Sequence, residues 1–185
     1  MKYDIYFGDG NVRFALGKSG KKPLVIIGVN PSTADAYESD PTITKVEKLA
    51  SAWDYDGFLM LNLYPVRESN PKNLVGEFDV GLASINSEIV GMLLKEQKPP
   101  VIWAAWGNAI NLNKEFVVCL KDLAAALKDQ NPIWLQCGNL TDEMNPRHPN
   151  PRESFVKTFK RGLSEFILKS YLNKRFDQCA KQTRR

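Results

Sequence analysis

One histidine occurs in the 185 residues, His148, inside the run Asn145-Pro146-Arg147-His148-Pro149-Asn150-Pro151. An imidazole can give or take a proton near neutral pH, and Arg147 and Arg152 flank this one with cations able to hold an anion. A second polar group closes an apolar run far upstream, where Gly28 leads into Val29-Asn30-Pro31-Ser32-Thr33-Ala34-Asp35. Asn30 can orient a water but cannot deprotonate it, whereas Asp35 or Asp40 could supply a carboxylate. Asn62 and Arg67 lie in LNLYPVRESNP, and Asn108 in WGNA. Lys157 and Lys160 follow the histidine loop about one helical turn apart and suit phosphate contacts. Asn30, Asp35 and His148 are thus the candidates for catalysis. Gly28, Pro31, Ser32, Asn62, Arg67, Asn108, Arg147 and Pro149 are the candidates for ligand binding, and Arg152, Lys157 and Lys160 for nucleic-acid phosphate.

These residues fall at the ends of short apolar runs. Leu24–Ile27, Phe58–Leu63, Val101–Ala105 and Ile133–Cys137 read as core strands, the first rich in β-branched side chains and suited to burial on both faces. Helical spacing separates them: Pro41–Trp53 with Asp40 as N-cap, a second helix marked by Ile85, Ile89, Met92 and Leu93, and a third by Phe116, Leu120, Leu123, Ala124 and Leu127. A last helix is expected over about Glu153–Leu172. Strands alternating with helices predict an α/β fold, three-layered α/β/α, around a central four-stranded, mainly parallel sheet. The Gly8-Asp9-Gly10-Asn11 turn predicts an N-terminal β-hairpin over residues 3–16, with residues 17–22 a flexible connector. One domain is expected over residues 1–172, followed by a basic tail over 173–185. Parallel strands end on one side of the sheet, so the four polar exits should share an edge, where ligands bind in open α/β sheets.

Other chemistries find little support. No GxxxxGK[ST] or GxGxxG is present, Ser32 lacks a nucleophile elbow, and Cys137 suits a core position. Cys119, Cys137 and Cys179 are odd in number and widely spaced, so no disulfide framework, metal site or cofactor is expected. No apolar run approaches a membrane span and MKYDIYFGDG is no signal peptide, so a cytoplasmic monomer with no membrane partner is expected. From Arg152 onward ten Lys or Arg face three acids, leaving +7 there and −3 elsewhere of the net +4. A basic end on a mildly acidic body suits nucleic acid or a nucleotide as partner.

The GVNPSTAD segment and the NPRHPNP loop resemble an uncharacterised family of small microbial proteins, the domain of unknown function numbered 1643. More distantly, four segments in order resemble the uracil-DNA glycosylase superfamily: IIGVNPS its water-positioning turn, LNLYPVRESNP a stretch of its iron–sulfur branch, IWAAWGNAI the segment packed behind its pocket, and RHPNPRESF its H-P-S-P loop. The resemblance implies a uracil-DNA glycosylase-like fold and a pocket for an unstacked base, with His148 donating to the base and the loop entering a groove of DNA. It departs from that superfamily in lacking the four-Cys cluster, in carrying Asn30 where its most active family has a carboxylate, and in having Asn150 for the serine. Tyr37, near the first turn, is the candidate for stacking a base. The leading expectation is recognition of a nucleobase or nucleotide, extending to metal-free hydrolysis of an N-glycosidic bond. A non-catalytic binding module of the same fold is the alternative. A hydrolase of a small phosphorylated metabolite is a further one, with Arg67 and Arg147 on the phosphate and Asp35 with Asp40 on a divalent ion. All of this requires the Asn30 turn and the His148 loop to face each other across one hollow.

Overall fold

The computed structural model describes residues 1–76, 78–97, 99–149 and 162–182. Strands β1 (Ile5–Gly8), β2 (Arg13–Lys18) and β3 (Pro23–Gly28) precede helix α1 (Pro41–Ala52). Then come β4 (Gly57–Asn62), α2 (Val80–Leu93), β5 (Val101–Ala104), α3 (Lys114–Ala126), β6 (Ile133–Cys137), β7 (Leu163–Glu165) and α4 (Leu168–Gln182). One mixed sheet of seven strands runs β1-β2-β4-β3-β5-β6-β7. Pairing is parallel for β4–β3, β3–β5 and β5–β6, and antiparallel for β1–β2, β2–β4 and β6–β7.

Side-chain alternation along these strands divides the core into two layers. Leu24 and Ile26 point with Phe58, Met60 and Trp103 toward α1, which buries Ile43, Val46, Leu49 and Ala50 against them. Val25 and Ile27 point the other way with Leu59, Leu61, Ile102 and Ala104, onto Val90 of α2, Phe116, Leu120 and Leu123 of α3, and Leu168 and Tyr171 of α4. Because neighbours on a strand face opposite sides, one continuous apolar run can serve both layers. Each such side chain contributes about 1.5–3 kcal/mol relative to exposure. α1 starts as its sequence requires: Asp40 Oδ1 accepts the Ile43 N–H at 2.8 Å, with proline in the first turn.

Several expectations are corrected. The sheet has seven strands, not four, because β2 pairs with β4 through Leu16–Met60, Gly17–Leu59 and Lys18–Phe58, so the hairpin extends the sheet rather than preceding it. Gly17 and Lys18 therefore belong to a strand, not a connector. Leu163, expected in a helix, lies in β7 opposite Cys137, and the Phe166 N–H continues that pairing to the Trp134 carbonyl at 2.8 Å. An exposed β6 edge is thereby covered, and the long-range pairing overrides the local helical pattern. Residues 173–182 continue α4 rather than forming a tail, while 153–161 of the expected last helix lie outside the described residues. On α2, Ile85 and Met92 face outward, and Ala83, Asn86, Ile89 and Val90 face the core. Among the described residues no helix is long and apolar enough to cross a membrane.

Candidate functional site

The β3 exit is fixed by its own asparagine. Asn30 Nδ2 donates to the carbonyls of Pro31 (3.0 Å), Val66 (3.3 Å) and Glu68 (2.7 Å), and the Glu68 N–H returns a bond to the Pro31 carbonyl at 2.9 Å. One carboxamide thus ties the first turn to the loop after β4. With its nitrogen spent on three carbonyls, the amide has one orientation, and its Oδ1 accepts no hydrogen bond among the described residues. Two arginines grip the next stretch from outside. Arg13 Nη1 donates to the Ala34 carbonyl at 3.0 Å and Arg67 Nη2 to the Thr33 carbonyl at 2.6 Å. Arg13 is buried, and its loss of water brings the guanidinium down to about 10, against the favourable charge of Asp40. It remains a cation at neutral pH.

His148 arrives on the loop that follows β6. His148 is half-buried at the pocket, and the loss of water around its ring depresses its pKa to about 4, opposed by the Asp40 carboxylate, so the imidazole is neutral at pH 7. Neither ring nitrogen has a hydrogen-bond partner among the described residues. The loop lies directly on the β5 exit turn. Gly107 takes φ +58°, and a Cβ there would stand 2.9 Å from His148 Cβ and 3.4 Å from its backbone nitrogen. Gly107 also donates its N–H to the Pro146 carbonyl at 2.9 Å. Only glycine allows both the left-handed turn and this approach.

Asn30, Ser32, Thr42, Asn108 and His148 line one pocket of ≈ 260 Å³, with Val29, Met60, Pro71 and Trp106 among its apolar walls. The exits of β3 and β5 and the histidine loop meet there, and the loop after β4 contributes Ser69, whose Oγ lies 3.1 Å from that of Ser32. No Lys, Arg, Asp or Glu stands on that described wall. Three wider hollows, ≈ 590 Å³ between β7, α4 and the β6 exit loop, ≈ 780 Å³ along α1 and ≈ 580 Å³ between α3 and α4, take no lining residue from the β3 exit turn.

A family model for a "Protein of unknown function (DUF1643)" matches residues 13–150, from the start of β2 to just past His148. The chain belongs to this family. No curated protein and no solved structure matches the chain. The matched span contains β2, the parallel strands and every described residue that lines the pocket, so the DUF1643 signature and the described site coincide on the chain.

The remaining candidates in this DUF1643 member are placed variously. Gly28 is not on the described pocket wall; a Cβ there would stand 2.8 Å from Cε of Met60, which is on it, and 3.0 Å from Asn62 Oδ1. Asn62 is fully buried at the end of β4, and its side chain, with the amide turned so that nitrogen faces oxygen, donates to the carbonyls of Leu61 and Asn30. Pro31 and Pro149 are buried. Asp35 is away from the pocket wall: its Oδ1 accepts the Tyr37 and Glu38 N–H groups at 2.8 Å each, and these bonds, that of Glu38 foremost, hold its carboxyl below the usual range. Arg67 turns to Tyr6 and Thr33, and Arg147 Nε donates to the Asn139 carbonyl at 2.9 Å. Tyr37 is exposed and off the wall. Arg152, Lys157 and Lys160 lie outside the described residues. Among the described residues no group of His, Cys, Asp or Glu is placed to hold a metal ion.

Sequence reasoning missed Thr42, Ser69, Gly107 and Asn145. Thr42 stands in the first turn of α1 and Ser69 in a polar loop, two places where Ser and Thr are commonplace. Gly107 was legible as a turn residue but not as the seat of His148, which is a contact across the fold. Asn145 opens the NPRHP motif and is fully buried, which its type alone does not suggest.

Proposed function

We propose that the chain recognises a nucleobase, free or within a nucleotide, in the pocket between the Asn30 turn and the His148 loop. The observation that carries this reading is the meeting of two oriented, uncharged polar groups in one small hollow without a charged side chain on its described wall. A neutral imidazole offers one donor and one acceptor, and the side-chain Oδ1 of Asn30 offers a fixed acceptor. Complementary edges of that kind occur on flat, neutral heterocycles. A volume of ≈ 260 Å³ falls below the ~300–1,000 Å³ usual for drug-sized ligands and suits a single ring system. The resemblance to the uracil-DNA glycosylase superfamily points the same way and suggests that a base swung out of its stack would be held here.

The same pocket supports hydrolysis as a second reading, favoured by Asn30 Oδ1, which accepts no hydrogen bond among the described residues. It would hold a water whose oxygen bonds to the sugar carbon as the carbon–nitrogen bond breaks. The electron pair would leave with the base, steadied by donation from His148, the attacking water's proton would pass to solvent, and the departed base would take up a proton from solvent. Asn30 cannot take the water's proton and Asp35 stands elsewhere, and losing a general base typically costs ~10²–10⁴ in rate, so turnover would be slow. A phosphorylated metabolite is less favoured, since Arg67 and Arg147 both donate to backbone carbonyls away from the pocket wall.

Titration of purine and pyrimidine bases and nucleosides, followed by calorimetry and by the His148 ring resonances, tests this reading. Saturable binding of at least one base, lost in His148→Ala and not mimicked by inorganic phosphate, is expected. Phosphate binding as well as any base, or a His148→Ala variant binding like wild type, would overturn it.

A further inference from the structure

We propose that Tyr171 and Arg175 on α4 act through Asn145 as positioning residues for His148. This rests on the reading of the His148 pocket as the ligand site, but its test does not need a ligand. Asn145 is fully buried, and every polar group of its side chain is engaged. Oδ1 accepts from the Tyr171 hydroxyl at 2.7 Å and from Arg175 Nη2, while Nδ2 donates to Asn108 Oδ1 at 3.0 Å. Its backbone exchanges two bonds with Thr141, N–H to Oγ1 at 3.1 Å and carbonyl from N–H at 2.9 Å.

The consequences reach His148 in two ways. The next carbonyl along the chain, that of Pro146, accepts the Gly107 N–H, and His148 packs on Gly107 two residues further on. On the other side, Trp106 Nε1 donates to the Tyr171 hydroxyl at 3.3 Å, so one phenol holds both the histidine loop and the β5 exit turn beneath it. Arg175 adds a bond from Nη1 to Asn111 Oδ1 at 2.6 Å, and its guanidinium lies 5.1 Å from the Tyr171 ring centroid. A fixed fork of donors on a helix is well suited to hold a loop in one register. Asn145 lies within the family span and its two α4 partners outside it, so α4 supplies a support that the matched span lacks.

As the single histidine, His148 gives an unambiguous ring signal. Ligand-free wild type, Arg175→Ala, Arg175→Lys and Tyr171→Phe are compared by ring chemical shift, pH titration of that signal, and unfolding. Arg175 is not among the charges acting on the His148 ring, so its removal moves the titration only by moving the loop. We expect folded Arg175→Ala and Tyr171→Phe variants with displaced ring shifts and an apparent pKa raised from about 4 toward the ordinary 6.5, with Arg175→Lys closer to wild type. Should Arg175→Ala not fold, Tyr171→Phe, which removes one hydroxyl and no charge, decides alone. Folded variants whose ring shift and titration match wild type would overturn the proposal. A wild type that binds no base, with variants that still move the ring, would refute the pocket reading while leaving the positioning intact.

Discussion

Lowering the pH should destabilise this protein through one identifiable group. The folded chain keeps the His148 ring unprotonated down to about pH 4 because burial strips the imidazolium of water, whereas an unfolded chain protonates it near 6.5. Between those values the unfolded state binds the extra proton, so stability rises with pH across the window and is lost as pH falls through it. Each pH unit there costs about 1.4 kcal/mol, and since part of the residue reaches solvent at the pocket, a total of about 2–3 kcal/mol is expected. The assay is urea unfolding of wild type and His148→Gln at matched pH from about 7 to about 4.5, where carboxylates titrate alike in both. Wild type should lose about 2 kcal/mol more than the variant, because glutamine has no proton to refuse. Parallel curves for the two proteins would show that the ring is not held in a water-poor setting, and the account of a neutral His148 in the pocket would fall.

Two further outcomes follow from single contacts. Gly107→Ala should cost at least the ~1–2 kcal/mol of a left-handed alanine and push the His148 loop away, seen as a displaced ring resonance, whereas Gly10→Ala, with nothing within 4 Å of the added carbon, should leave both unchanged. Asp40→Ala should lose about 2–4 kcal/mol in urea unfolding, from the helix cap, the Ala34 N–H bond and the charge facing buried Arg13. A loss under about 0.5 kcal/mol would mean that the Asp40 carboxylate does not tie α1 to the β3 exit turn.

Much of the scaffold was legible because its signals are local. Four apolar runs with turn residues behind them, Asp40-Pro41 at a helix start, and Asp9-Gly10 in a hairpin all report interactions within a few residues. The meeting of Asn30 and His148 at one hollow was also foreseeable, since parallel strands deliver their exits to one edge. What those exits contain was not foreseeable from residue type. Asp35 and Arg67 look like site residues in the sequence, yet one closes its own turn and the other holds the Thr33 carbonyl.

The chain by itself therefore determined the α/β alternation, the start of α1, and the polar character of the strand exits, all consequences of side-chain periodicity and backbone preference. Tertiary structure alone decided that the hairpin joins the sheet, that Leu163 becomes a β7 residue, and that α4 reaches back to Asn145. It also left the Asn30 nitrogen fully occupied while His148 kept both nitrogens without a protein partner among the described residues. The physical reason is that strand pairing and buried hydrogen bonds join groups distant in sequence, and local pattern carries no record of which partner a polar group will find.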